Sequence, residues 1–126
     1  MNVTEHLMHI QRSIPDCTAA GLVDPKSGSV IASSTRSAAR IAELELSAAE
    51  VAEVFDGAHA DAIENDGAEA GSPLRELVLV TGGSIRMFQR CRLSPGLMLV
   101  TVAGASSNLG GTIARSRQWL ADLEAA

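Results

Sequence analysis

The last third of this chain alternates apolar runs with turn residues. Residues 77–81 form an apolar run typical of a strand, and the next two residues, Gly82 and Gly83, supply the positive φ angles that a two-residue hairpin turn needs. Residues 84–92 alternate between apolar and polar side chains, and a Pro-Gly turn leads into a further run at 97–103. The pattern predicts three antiparallel strands, whose sheet has an edge that must be paired or blunted.

The first part of the chain predicts one helix and a hairpin. Apolar residues recur at spacings of four, three and four, as on one face of an amphipathic helix: Val3, Leu7, Ile10 and Ile14. Pro15 ends this helix. Residues 17–23 and 29–34 then predict two strands joined by a polar turn at 24–28.

A second helix is predicted between the two groups of strands. Residues 35–46 show no clean stripe, whereas Ser47 and Glu50 have the spacing of a capping box at a helix start. The helix runs to about Glu64, and a polar linker follows at 65–73. With a terminal helix over 106–123, the predicted order is α-β-β-α-β-β-β-α, an α/β (α+β type) fold in which three helices sandwich a five-stranded antiparallel sheet.

The central helix has an apolar arc that covers roughly half of its circumference, wider than the ~100° that a surface helix needs for one contact. The helix is either sunk deeply into its own sheet or touches that sheet and a second chain at once. The second interpretation makes the arc a dimer interface with these members: Val51, Val54, Phe55, Ala58 and Ala62.

Composition indicates a single domain over residues 1–126, in which 46% of the residues are hydrophobic. The net charge of −5 and the scarcity of aromatic residues argue against nucleic-acid binding. The apolar runs are too short for membrane insertion, so we expect a cytoplasmic protein. In that compartment the two cysteines, Cys17 and Cys91, should be reduced.

Charge is segregated along the chain, with nine carboxylates and no basic residue between Ile41 and Leu74, and five arginines and no carboxylate between Leu77 and Ala121. One face of the strand at 84–92 carries Arg86, Phe88, Arg90 and Arg92. These arginines either pair with the acidic helix or form a docking face for a partner protein. Trp119 lies at the margin of the last helix, either as a core rim or as a partner contact.

Enzyme chemistry has little support in the sequence. The glycine-rich stretch at 104–112 lies where a phosphate loop would, but its glycine spacing is wrong and no Lys precedes Thr112. His6 and His9 have no third ligand candidate and are expected to face solvent. We therefore expect no catalytic residues, no metal and no cofactor.

The order of elements resembles the roadblock/dynein light chain family over essentially the whole chain. The local marks are the opening hairpin, Gly21–Asp24 through Gly28–Ser33, and Asn108-Leu109-Gly110 entering the last helix. The resemblance implies a profilin/longin-like roadblock fold and homo- or heterodimers formed through the central helix and the third strand. The strand would contribute Leu77, Val78, Leu79 and Val80.

Members of this family bind Ras-like small GTPases as activators or scaffolds, or act as dynein-associated subunits. The resemblance therefore implies a non-enzymatic dimeric regulatory protein that modulates the cycle of such a GTPase without supplying a catalytic arginine. Two alternatives stay open: a small-molecule sensor domain of the PAS/GAF-like kind, and a structural subunit of a motor or signalling complex.

Overall fold

The computed structural model describes residues 2–56, 75–91, 97–104 and 108–125. Within these ranges the helices are α1 (Val3–Ser13), α2 (Ile41–Asp56) and α3 (Leu109–Ala125), and a short 3-10 helix (Ala38–Arg40) precedes α2. The strands are β1 (Cys17–Asp24), β2 (Ser29–Thr35), β3 (Glu76–Val80), β4 (Ser84–Arg90) and β5 (Met98–Gly104). The predicted order of elements is confirmed.

The five strands form one antiparallel sheet in the order β2-β1-β5-β4-β3. Leu44 and Ala48 of α2 pack on one sheet face against a cluster that includes Phe88 and Val100, here called the α2-side core. The opposite face packs against α1 and α3 and is called the α1/α3-side core. The predicted sandwich of helices around a five-stranded sheet is therefore confirmed. Among the described residues, no helix is long and apolar enough to cross a membrane.

Helix α1 follows its predicted pattern except at Val3, which is 42% exposed. The side chain of Asn2 caps it by accepting a hydrogen bond from the Glu5 N–H at 2.9 Å. Leu7, Ile10 and Ile14 are buried. His6 is buried too, with 8% of its surface exposed, so the prediction that both histidines face solvent is wrong for His6. His6 precedes Leu7 in the helix, and the buried face of α1 is wide enough to include both side chains.

Helix α2 begins earlier than the sequence predicts. It starts at Ile41, so Ser47 lies inside the helix rather than at its N-cap. The prediction of a capping box is therefore wrong. Ile41, Leu44 and Ala48 are spaced as one helical face and pack in the α2-side core, which extends the helix by almost two turns.

The β3–β4 hairpin closes through a threonine side chain. The Thr81 hydroxyl accepts hydrogen bonds from the N–H groups of Ser84 at 3.1 Å and Gly83 at 3.3 Å. Of the described glycines, Gly28 has a positive φ, of 71°, whereas Gly82 and Gly83 do not. The predicted turn position is right, but its mechanism is an ST-turn rather than left-handed glycines.

The two cysteines are free and buried, as expected for reduced residues. Burial raises the pKa of both Cys17 and Cys91 to about 11. Both thiols are therefore protonated at neutral pH and act as small apolar groups.

Candidate dimer and partner interfaces

Strand β3 lies at one edge of the sheet. On its inner side it pairs with β4 from Glu76 opposite Gln89 to Val80 opposite Ile85. Its outer side has no strand partner in the described part of the chain. Val80 is 61% exposed. This edge is the one that the sequence predicts for pairing with a second chain, and no described strand pairs with the backbone groups on its outer side.

The four predicted strand residues alternate between the two sheet faces. Leu77 and Leu79 are half-buried against the α2-side core, while Val78 and Val80 point to the α3 side. A second strand added along β3 would extend both faces of the sheet.

Helix α2 carries an exposed apolar stripe that sequence reasoning missed. Ala42, Leu46 and Ala49 are exposed and follow the i, i+4, i+7 spacing of one helical face, and Leu46 is 61% exposed. The spacing of these three residues is visible in the sequence. It was not recognised because the predicted helix began only at Ser47, which left Ala42 and Leu46 outside it. With the start at Ile41, the two faces separate into one that packs on the sheet and one that is open.

A groove joins α2 to the β3–β4 hairpin. It has a volume of about 270 Å³ and is lined by Leu46, Gly83, Ser84 and Arg86, among others. The Arg86 guanidinium forms an ion pair with Glu50 of α2 across this region. The exposed stripe of α2 and the edge hairpin therefore meet along one continuous surface.

The structure places the predicted partner-binding arginines in different settings. Arg86 is paired with the acidic helix, as the more conservative interpretation had it. Arg90 is half-buried at the end of β4, next to Arg75, whose carbonyl accepts the Arg90 N–H at 2.8 Å. Arg92 lies outside the described residues.

Phe88 does not lie on the surface of the chain. It is 1% exposed within the α2-side core, because α2 covers the sheet face that carries it. This corrects its predicted role as a contact for a partner protein.

Trp119 contacts α1. Its ring stacks on that of His9, with the ring centroids 5.9 Å apart and an interplanar angle of 15°. It also packs, partly buried, against the α1/α3-side core. The position fits a core rim that joins two helices.

The predicted central-helix interface falls largely outside the described side chains. Val51, Val54 and Phe55 lie on α2, but only their backbone is described. Ala58 and Ala62 lie outside the described residues altogether. The interface role of these five residues stays a prediction.

A polar cluster joins α3 to the edge strand. The Arg117 Nη2 donates to Glu76 Oε1 at 2.6 Å, and Nε donates to Oε2 at 3.1 Å. Gln89 Nε2 donates to the same carboxylate at 3.0 Å. The hydrogen bonds from Arg117 lower the pKa of Glu76, although burial opposes them.

No group of three His, Cys, Asp or Glu side chains suited to hold a metal ion occurs among the described residues. The Asn108 side chain caps α3 by accepting the Gly111 N–H at 2.8 Å, so the helix start is closed by the protein itself. Asn108 therefore provides the cap of α3.

No protein-family model matches the sequence, and no curated protein matches it. Solved structures do match. A Roadblock/LC7 domain from Streptomyces avermitilis has a TM-score of 0.76 at 12% identity, covering 98% of this chain and 95% of that one. An MglB protein in a tetrameric arrangement has a TM-score of 0.74 at 21% identity, covering 95% of this chain and 83% of that one. The chain has the roadblock fold.

The roadblock fold is shared with proteins of another kind. Acanthamoeba castellanii profilin IB has a TM-score of 0.63 at 16% identity, covering 98% of both chains. The expected profilin-like roadblock architecture is thus confirmed, and at these identities the similarity establishes the fold. Any assignment of function to this chain has to come from its surfaces.

Proposed function

We propose that this protein is a non-enzymatic dimeric regulator that binds a Ras-like small GTPase and modulates its GTPase cycle. Its sequence resembles roadblock proteins with that role, and the roadblock fold supports the resemblance. The surfaces described above give it a physical basis, because they favour association with protein over catalysis.

The observation that carries the proposal is the surface formed by the open edge of β3 and the exposed stripe of α2. Pairing of β3 with its copy in a second chain would continue the sheet through backbone hydrogen bonds. The same approach would cover Leu46, which is 61% exposed in the single chain. We propose that Val51, Val54, Phe55, Ala58 and Ala62, the arc predicted from the sequence, belong to the same interface.

A two-fold axis suits this surface. Antiparallel pairing of identical strands places each residue opposite a residue of the same strand, so both copies use one patch. The small side chains of Ala42 and Ala49 would let two α2 helices approach closely. The tetrameric arrangement of the solved MglB supports an assembling protein.

The proposed role on the GTPase is positioning rather than direct chemistry. Arg86 is occupied by Glu50 and half-buried, so it is poorly placed to enter another protein's active site. Arg90, Arg92 and Trp119 remain the proposed contacts with the partner protein. We propose that the regulator acts by holding the GTPase in one conformation, and it needs no catalytic residue or cofactor for that.

The test begins with the partner protein. The chain is immobilised and exposed to a native lysate of its source cells, and the retained fraction is assayed for GTP hydrolysis with and without added free chain. We expect a retained small GTPase whose hydrolysis rate changes when the chain is added.

A column carrying Leu46→Asp serves as the matched control for the dimer surface, because Leu46 is exposed and its replacement leaves the core intact. If no GTPase is retained, or if the hydrolysis rate of the retained GTPase ignores the added chain, the proposed function is wrong.

A further inference from the structure

A chain of polar contacts fastens helix α3 to the edge strand. It starts at Glu76, the first residue of β3, whose carboxylate is held by Arg117 and Gln89. Gln89 is 2% exposed, and its amide oxygen accepts a hydrogen bond from the Ser116 hydroxyl of α3. Ser116 also lies 3.5 Å from the hydroxyl of Thr101 on β5. The contacts therefore run from the sheet interior to its pairing edge.

The fully buried residues of helix α3 are polar, so hydrogen bonds form part of its attachment to the sheet. Its fully buried positions are Thr112, at 2% exposed, and Ser116, at 0%. The larger apolar residues Trp119, Leu120 and Leu123 are only partly buried. Leu120 and Ala121 of α3 line the same cleft as Glu76, while Ser116 and Arg117 supply the hydrogen bonds from α3 to the sheet.

The Glu76 carboxylate is partly buried and forms an ion pair with Arg117. Its side chain is 27% exposed, whereas that of Arg117 is 63% exposed. The two line a cleft of about 280 Å³ whose other charged residues are Arg75, Arg90 and Glu124. Arg117 makes the ion pair and lowers the pKa of Glu76, so the carboxylate is ionised at neutral pH.

We propose that the Arg117–Glu76 ion pair makes pairing along β3 depend on the docking of α3, a dependence that rests on the dimer proposed above. A second strand laid on β3 would remove water from the flank of Glu76. With Arg117 in place, the carboxylate enters the interface with its charge matched. Without Arg117 an unpaired carboxylate loses water, and this opposes association.

The coupling acts in both directions. A partner protein that draws α3 away from the sheet weakens the dimer, and dimerisation in turn holds α3 in place by the same free energy. The edge strand is thus open to pairing when α3 is docked and is blocked by a charge when it is not, a known way to prevent edge association. The structure assigns Glu76 and Arg117 as positioning residues for the dimer.

Four proteins test the coupling: the wild type, Arg117→Ala, Glu76→Gln and the double variant. Their dimer dissociation constants are measured by sedimentation equilibrium at neutral pH. We expect Arg117→Ala to raise the dimer Kd about tenfold. Glu76→Gln should change it little, because the exposed Arg117 that remains is solvated by water. The double variant should return close to the wild-type value, since no unpaired charge is left.

Measuring the dimer Kd over a range of pH separates the effect of the Glu76 charge from the effect of removing the Arg117 side chain. In Arg117→Ala, Glu76 has lost the cation that lowers its pKa, and dimerisation favours the protonated form. Its dimer should therefore strengthen as the pH falls into the acid range where the Glu76 carboxylate takes up a proton. The remaining charged neighbours, Arg75, Arg90 and Glu124, are common to all four proteins, so the comparison isolates Glu76.

Arg115→Ala is the matched control on the same helix. Arg115 Nη1 donates to the Ser13 carbonyl at 3.1 Å, on the α1 side of α3, so the dimer Kd should not change. Trp119 is the only tryptophan, and its fluorescence reports whether α3 is still docked in each variant.

A wild-type dimer whose Kd is unaffected by Arg117→Ala overturns this inference and leaves the proposed dimer standing. The inference is also overturned if the double variant dimerises as weakly as Arg117→Ala. A wild-type monomer overturns both the inference and the proposed function.

Discussion

At the scale of single residues, Asp16 and Gly104 depend on each other. Asp16 has a φ of 58°, in the left-handed region, and its carbonyl accepts the Gly104 N–H at 3.0 Å. A Cβ added at Gly104 would lie 1.8 Å from Oδ2 of Asp16 and 2.8 Å from its Cγ. Arg36 holds the same carboxylate at 3.6 Å. A side chain at the end of β5 would therefore displace the Asp16 carboxylate from its present position.

Gly104→Ala should lower the free energy of unfolding by about 2 kcal/mol, because the new methyl group displaces Asp16 from its site. Asp16→Gly in the same background should recover part of this loss, since it removes the clashing carboxylate and tolerates the positive φ. Urea unfolding of the three proteins measures both effects.

Gly82→Ala is the control for the loss of a glycine. A Cβ there would meet no atom within 4 Å, so we expect no loss of stability. Equal unfolding free energies for Gly104→Ala and the wild type would contradict the account of this turn. The sequence could not reveal the pair, because its members lie 88 positions apart, from 16 to 104, and neither belongs to a recognisable motif.

At the scale of elements, the sequence predicts the strands and helix α1 well, because their patterns are regular and are closed by turn residues. The start of α2 was misplaced because Ser47 and Glu50 have the spacing of a capping box by coincidence. In the structure Ser47 is fully buried, and its hydroxyl has no hydrogen-bond partner among the described residues. Local patterns were overridden here by the packing of Leu44 on the sheet.

Ser47→Ala distinguishes a helix that begins at Ser47 from one that begins at Ile41. Removing an N-cap serine costs about 1 kcal/mol. Removing a buried hydroxyl without a partner should instead stabilise the protein by about 1 kcal/mol, because its desolvation is no longer uncompensated. A lower urea midpoint for Ser47→Ala would show that the helix begins at this serine after all.

The buried face of α3 also differed from expectation. Its apolar residues Leu109, Ile113, Leu120 and Leu123 predict the buried side, and Leu120 and Leu123 do pack partly buried against the α1/α3-side core. Leu109 is 40% exposed, however, and the fully buried positions are Thr112 and Ser116. Small hydroxyl side chains allow a close approach to the buried Gln89, which hydropathy alone does not anticipate.

Hydrogen exchange should show the consequence of this polar attachment. We expect the amides of α3 to exchange faster than those of β5, which is paired on both sides and buried along most of its length. Mass-spectrometric exchange on native protein measures the two segments together. Equal protection would mean that α3 unfolds only with the whole domain.

At the scale of the whole molecule, the sequence predicts which strands exist but not their order. The three hairpin connections were predictable from turns, whereas the pairing of β5 with β1 depends on contacts distant in the chain. That order places β3 at an edge, next to the groove lined by Leu46 and Arg86. The proposed dimer surface therefore still includes β3, and it now also includes the first part of α2, around Leu46.

Leu46→Asp should raise the dimer Kd at least about tenfold, because it places an unpaired charge in the interface. The fold should be unaffected, since Leu46 is 61% exposed. Leu109→Asp is the control: Leu109 is also exposed, and an acidic residue is favourable in the first turn of α3. Sedimentation of the three proteins tests this, and equal association of the two variants would place the interface elsewhere.

The most direct test of the central proposal is the mass of the wild-type protein in solution, measured by light scattering coupled to size exclusion at micromolar concentration. The account predicts a dimer, with twice the 13.1 kDa mass of the chain. A mass of one chain throughout that range would contradict it.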